Sequence, residues 1–528
     1  MRKVKRSLLA LAVGLGIFSL ASCDEAAGSS AALSSNSPVA TGSQNSEELS
    51  EDTGLSNIEY EFEKDYFYSD YNEKSLADTS RQGIKTFETK DDIVFDAVTY
   101  EELVNIFESE GDYLILFGGS WCHNTRAAVP YINELANQYN INKIYNFDFY
   151  LDGETSQTHI RNTNASDPSR VTPGIEYNYL YGELVSRYLT NLNDYVEYTY
   201  DSRSALTYTS YDDSNKTVAK LQVPFLFLYN KDNKVDNSGI SNGGTSNEKG
   251  TYPIEIGFEE MVDRDADGVY KKVSGTKTYI TDEYVGRLKG VFDYIKDNNI
   301  KLTDYSDADY IRNLYNKKSG REIFGANDQI NINTLTYRQL KWLLEQDKDS
   351  VIYFGGSWCP NTQATIKTTN DYAVANNVRV YNFDTKLDSG YAKSYWNYSK
   401  DLHIRDSANS FVRLYTNLIE QYLTNIVTLY DVNSDASYSY ISYQENEQTV
   451  KVAKLQVPYL LSYNKSHKDA DGFNAPITSY YEEMLVLNEE STAYAYSEAN
   501  YASLKSHTYN VFNTYLNNSA DRDAINIR

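Results

Sequence analysis

Cysteine, proline and positive charge are scarce in this 528-residue chain. It has three Cys and nine Pro, and 49 Lys and Arg stand against 74 Asp and Glu, a formal charge of −25. Such a charge repels nucleic acid and anionic lipid surfaces alike, which speaks against both as direct partners. Beyond the first 20 residues no segment has the ~20 uninterrupted apolar residues of a membrane span. No ligand spacing suggests zinc, and no Ser/His/Asp set or phosphate loop stands out, so no metal and no cofactor are expected. Tyrosine is abundant, with 50 residues, and reads as core and surface aromatic area without an activity of its own. At 41% hydrophobic the chain can build real cores, and its length suits two or three domains.

The N-terminus reads as an export signal. Arg2, Lys3, Lys5 and Arg6 form a charged start, and Leu8 to Leu20 is an apolar run too short for a stable span. The run ends in Leu20-Ala21-Ser22-Cys23, which resembles a bacterial lipobox. That resemblance implies a diacylglycerol on the Cys23 sulfur and cleavage just before it, and two acyl chains suffice for lasting anchorage. The expected location is therefore extracytoplasmic, with the membrane as a partner through the lipid. Residues 24 to about 57 are rich in Ser, Ala, Gly, Asn and Glu and read as a flexible tether. The acidic, Tyr-rich stretch Asn57 to Leu76 reads either as a transition or as an interaction strip.

Self-similarity at a period of about 235 residues dominates the rest. Gly118-Gly119-Ser120-Trp121-Cys122-His123-Asn124-Thr125 recurs as Gly355-Gly356-Ser357-Trp358-Cys359-Pro360-Asn361-Thr362. Tyr145-Asn146-Phe147-Asp148 recurs as Tyr381-Asn382-Phe383-Asp384, and the seven residues from Val218 to Pro224 recur from Val452 to Pro458. The chain is an internal duplication. Within each copy, a buried-type strand (Tyr113 to Phe117 in the first) leads through two glycines into a helix near the cysteine. Another strand, a helical stripe in a long insertion, a strand after Val-Pro and a last helix follow.

Trp-Cys-x-x-Thr between a buried strand and a helix, with a later Val-Pro before a strand, resembles the thioredoxin superfamily. The fold class expected is α/β, with two tandem thioredoxin-like domains, each carrying a helical insertion before the cis-Pro strand. The expected boundaries are a signal peptide (1–22), a lipidated tether (23–82), domain one (83–300), a linker (301–322) with a flexible point at Lys317, Lys318 and Gly320, and domain two (323–528). The resemblance implies that Cys122 and Cys359 are attacking thiols at helix N-termini, where free N–H groups favour a thiolate. It implies cis bonds before Pro224 and Pro458. These would turn the backbone of Val223 and Val457 toward the sulfur, beside Trp121 and Trp358, to pair with an extended peptide.

The sequence departs from that family in its second cysteine, replaced by Thr125 and Thr362. A hydroxyl one turn on can hydrogen-bond the sulfur but cannot resolve a mixed disulfide. Leu116 and Tyr353 stand where the family often has a buried acid. Two readings remain open: monothiol exchange with exported protein thiols, or a non-catalytic module binding extended peptides. An unpaired thiol kept in both copies favours use; the ease with which Cys packs as a small hydrophobe favours the second. His159-Ile160-Arg161 is echoed by His403-Ile404-Arg405, but its distance from the preceding Asp differs by eight residues between copies, and it reads as solvated insertion surface. Asp263, Asp265, Asp267 and Gly268 begin a calcium-type loop that has Ser274 at the twelfth position, where a bidentate Glu is needed.

Overall fold

The computed structural model describes residues 56–81, 83–154, 158–161, 176–189, 205–233, 252–255, 271, 278–395, 401–428, 440–445, 448–481 and 498–526. Cys23 and the calcium-type loop at 263–268 lie outside these residues. Both copies of the repeat belong to one unit, Ser50–Arg528.

A helix, α1 (Ser56–Ala77), precedes the first copy. The first copy then runs β1 (Phe95–Ala97), α2 (Tyr100–Glu108), β2 (Tyr113–Phe117), α3 (His123–Gln138), β3 (Ile144–Phe147), α4 (Asn178–Tyr188), β4 (Ala205–Thr209), β5 (Asn215–Ala219), β6 (Phe225–Asn230), β7 (Tyr252–Glu255) and α5 (Asp282–Asp297). Helix α6 (Asp307–Ser319) leads to the second copy: β8 (Ile332–Thr334), α7 (Tyr337–Glu345), β9 (Ser350–Phe354), α8 (Pro360–Ala375), β10 (Val380–Phe383), α9 (Tyr391–Tyr395), α10 (Val412–Gln421), β11 (Tyr440–Glu445), β12 (Gln448–Ala453), β13 (Tyr459–Tyr463), β14 (Ile477–Tyr481) and α11 (Glu498–Asn526).

Two five-stranded sheets share one topology. In the first the order is β1-β3-β2-β6-β7, and in the second β8-β10-β9-β13-β14. The first three strands of each are parallel and the last two antiparallel. Central strands β2 and β9 are buried along their whole length, as continuous apolar runs on a doubly covered sheet should be. The duplication extends to helix starts. Thr99 and Glu102 form a capping box on α2, and Thr336 and Gln339 form one on α7.

Two segments differ from the sequence expectation. Residues 56–77, read as tether and undecided strip, are helical because their aromatics find partners. Phe62 packs on Trp342 and Tyr381 of the second copy, while Phe67 packs on Phe95 of the first. The carboxylate of Glu63 accepts from the Ala97 N–H (3.1 Å) and from the Gln339 amide (2.6 Å), one in each copy. Asp70, 2% exposed, pairs with Arg338 at 2.8 Å. The expected linker 301–322 likewise contains α6, which buries Tyr310, Ile311, Leu314 and Tyr315. Lys317 and Lys318 sit in its last turn, and Gly320, at φ +68°, closes it as a left-handed cap.

The insertion before each proline holds more than the expected helix. After α4 and α10 comes a two-stranded hairpin, β4–β5 in the first copy and β11–β12 in the second. In β4, Leu206 and Tyr208 are buried while Thr207 and Thr209 face out, the alternation of a half-covered strand.

Candidate functional site

Each cysteine sits where a central strand hands over to a helix. Cys122 is the N-cap of α3 and Cys359 the N-cap of α8, both in extended backbone conformation. The turn is closed by the Cys122 N–H donating to the Gly119 carbonyl and the Cys359 N–H to that of Gly356, each at 3.0 Å. Pro360 occupies the first helical position of α8, where its missing N–H costs nothing. Cys122 is a free thiol, 8% exposed, and Cys359 is fully buried and disulfide-bonded.

The peptide bonds Val223–Pro224 and Val457–Pro458 are cis. The Cys122 thiol donates to the Val223 carbonyl across 3.7 Å, and the Cys359 sulfur lies 3.3 Å from the Val457 carbonyl. Thr125 and Thr362 do not bond the sulfurs. Both are fully buried, and their hydroxyls have no hydrogen-bond partner among the described residues. Their methyls pack instead on the turn, where a Cβ at Gly118 or Gly355 would come within 2.8 Å of them.

Trp121 and Trp358 are tied to a carboxylate that sequence reasoning passed over. The Trp121 indole N–H donates to Asp148 Oδ1 at 2.7 Å, and that of Trp358 to both oxygens of Asp384 at 3.0 Å. Burial pushes both acids up to about 7, against the pull of the indole and backbone N–H bonds they accept. Gly119 and Gly356 make room for the bond, since a Cβ on either would overlap the carboxylate and the indole. Next door, the Asn146 amide donates to the carbonyls of Leu116 and Gly118, and Asn382 sits between those of Tyr353 and Gly355. The copies differ at the indole face. Tyr150 stacks on Trp121 at 3.7 Å, whereas the Lys386 ammonium lies 4.1 Å from the Trp358 ring centre. Both acids also line one cavity of about 60 Å³ between the copies, with Tyr71 and Thr334.

The His-Ile-Arg segments occupy equivalent places, which corrects their reading as solvated surface. His159 pairs with Tyr150 through an antiparallel bridge, and His403 pairs with Lys386 in the same way. Arg161 is 7% exposed and Arg405 1%. The Arg161 guanidinium donates to the Leu221 carbonyl, and that of Arg405 to the Leu455 carbonyl at 2.7 Å. Burial lowers Arg161 from its ordinary value, with Tyr181, Cys122, Tyr150 and Asp148 acting the other way. Burial also holds His159 well below its usual range, helped by the charges of Arg161 and Lys220. The eight-residue difference in spacing coincides with the short helix α9, present in the second copy alone among the described residues. Its Tyr391 hydroxyl donates to Glu108 of the first copy at 2.5 Å.

Among the described residues no cluster of three or more His, Cys, Asp or Glu is placed to hold a metal. No helix there is long and apolar enough to cross a membrane.

No family model matches the chain, and no curated protein matches it. Among solved structures it is similar to human ERp44 in a zinc-bound form, at 10% identity and a TM-score of 0.14, covering 55% of this chain and 47% of that one. It is also similar to ERdj5 in two crystal forms, each at 10% identity and a TM-score of 0.16. These matches cover 80% and 76% of this chain and 30% and 27% of theirs. The chain thus spans about half of the first protein and under a third of the second, and likenesses of this size carry no argument about the site.

Proposed function

We propose that the chain is a lipid-anchored, extracytoplasmic protein of two tandem thioredoxin-like domains that carries out monothiol exchange on exported proteins. The observation that carries the reading is the facing of each cysteine sulfur and the carbonyl before a cis-proline, repeated in both copies on sheets of one topology. An extended peptide laid along that edge would bring its own sulfur to the cysteine. The Cys122 thiolate would attack a partner disulfide, forming the mixed disulfide and releasing one partner thiolate. With Thr125 in the resolving position, an external thiol must then attack that mixed disulfide and restore Cys122. Lipid on Cys23 would make that sulfur a thioether; Cys122 is the free thiol that would start the exchange, and Cys359, disulfide-bonded in this structure, would join it only once reduced.

The burial of both sulfurs favours a second reading, a binding module whose cysteines are packing groups. Trapping separates the two. The reduced, folded chain, incubated with a peptide disulfide and quenched with acid, should yield a mixed disulfide that maps to Cys122 and disappears in Cys122→Ala. Thiols that react only after denaturation would leave the binding module standing. In the same cells, Cys23→Ser should move the protein from the membrane to the soluble fraction; continued membrane retention would remove the lipid anchor from the proposal.

A further inference from the structure

The insertion before each proline ends on the segment that presents the carbonyl to the sulfur, and it grips that segment identically in both copies. In the first, the Tyr181 hydroxyl on α4 donates to the Ala219 carbonyl and accepts from the Leu221 N–H, both at 2.7 Å. Arg161 takes the Leu221 carbonyl. In the second, the Tyr415 hydroxyl on α10 donates to Ala453 (2.7 Å) and accepts from the Leu455 N–H (2.8 Å), while Arg405 takes the Leu455 carbonyl. Ala219 and Ala453 are the last residues of the hairpin strands β5 and β12. Leu221 and Leu455 stand two residues before Val223 and Val457. Both backbone groups of each leucine are thus held by side chains from elsewhere in the insertion.

All of these groups are buried: Tyr181 is fully so, Tyr415 is 1% exposed, and Leu221 and Leu455 are 2% and 0%. A buried peptide group satisfied at both ends by fixed side chains has little freedom to shift, because losing either bond leaves a desolvated donor or acceptor. Helix, hairpin end and the His-Ile-Arg turn converge on one three-residue stretch, Ala219–Leu221 in the first copy and Ala453–Leu455 in the second. A surface decoration would need no such convergence.

We infer that Tyr181 with Arg161, and Tyr415 with Arg405, are positioning residues that fix the peptide-pairing edge before each cis-proline against the cysteine sulfur. This rests on the monothiol reading for its consequence but not for its geometry. An extended peptide must register against the backbone of Val223 to bring its disulfide to Cys122, so the clamp governs reaction with peptides. A small symmetric disulfide needs access to the sulfur alone.

The test compares the reduced chain and its Tyr181→Phe and Arg161→Lys variants in two reactions, mixed-disulfide formation with an extended peptide disulfide and with 2-hydroxyethyl disulfide. Tyr181→Phe should slow the peptide reaction at least tenfold and leave the small-disulfide reaction within twofold of wild type. Equal slowing of both, or of neither, overturns the inference. Amide hydrogen exchange in the same variants tests the clamp without any reaction: the Leu221 N–H should exchange at least tenfold faster in Tyr181→Phe, while amides of β2 stay unchanged. Unchanged exchange at Leu221 overturns the clamp. Wild-type chain inert toward both disulfides but with the expected exchange result would overturn the monothiol reading alone.

Discussion

Asp148 and Asp384 show how little of a site's chemistry a single residue announces. In the sequence each is the last letter of a repeated word; in the fold each is a buried acid accepting an indole N–H. Their placement has a measurable consequence. A carboxyl whose folded value is raised from 3.8 to about 7 binds more protons folded than unfolded between those values. Its contribution to stability is complete below the unfolded value and is lost as pH rises through 7. Urea unfolding of the wild type should therefore show stability falling across pH 4–7, with each acid adding a slope of up to about 1.4 kcal/mol per pH unit. Asp148→Asn and Asp384→Asn together, which keep an acceptor for the indoles, should flatten that slope. An unchanged slope would mean the two acids are ionised throughout. Glu102, pushed up to about 7 by burial, adds to the slope and should remain in the double variant.

At the scale of elements, the parts with a strong period or an exact repeat were legible. The buried strand, the two glycines, the cysteine-bearing helix and the proline strand all stand where the pattern put them. Helix α1 was not legible, because its apolar face is aromatic and interrupted by charge, and its partners Trp342 and Tyr381 are remote in sequence. The hairpins are faint in the sequence: Leu206-Thr207-Tyr208-Thr209 alternates, but the run is short and lies beside a stronger helical stripe. The His-Ile-Arg pair is hidden in the sequence for a geometric reason: spacing along the chain ceases to report position once a short helix such as α9 lengthens the path. Helix α1 makes the clearest prediction at this scale. Phe62→Ala removes a ring, 3% exposed, that packs on two others, and should cost about 3–5 kcal/mol, read from urea unfolding. A loss under 1 kcal/mol would show that α1 is not seated as described.

Over the whole molecule, the contacts that join the copies are of the kind that couples unfolding. Arg338 of the second copy reaches Asp70 on α1 and Glu154 of the first copy. Glu101 of the first copy takes Lys318 and the Tyr310 hydroxyl from α6. Calorimetry should therefore give one transition for both copies. Arg338→Met, which leaves Asp70 buried beside no such cation, should lower that transition by about 3–5 kcal/mol of stability. Two well-separated transitions in the wild type would show that the seam is weak.

Helix α1 also decides how the molecule would carry a load. Tension applied at Ser56 peels a helix from its start, so the seats fail in chain order. On the second copy, Phe62 leaves Trp342 and Tyr381 first, and the Asp70–Arg338 ion pair is reached last. The aromatic seats on the second copy part first and the ion pair stands behind them, so a pull on the N-terminal end must break that pair before α1 is free of the second copy.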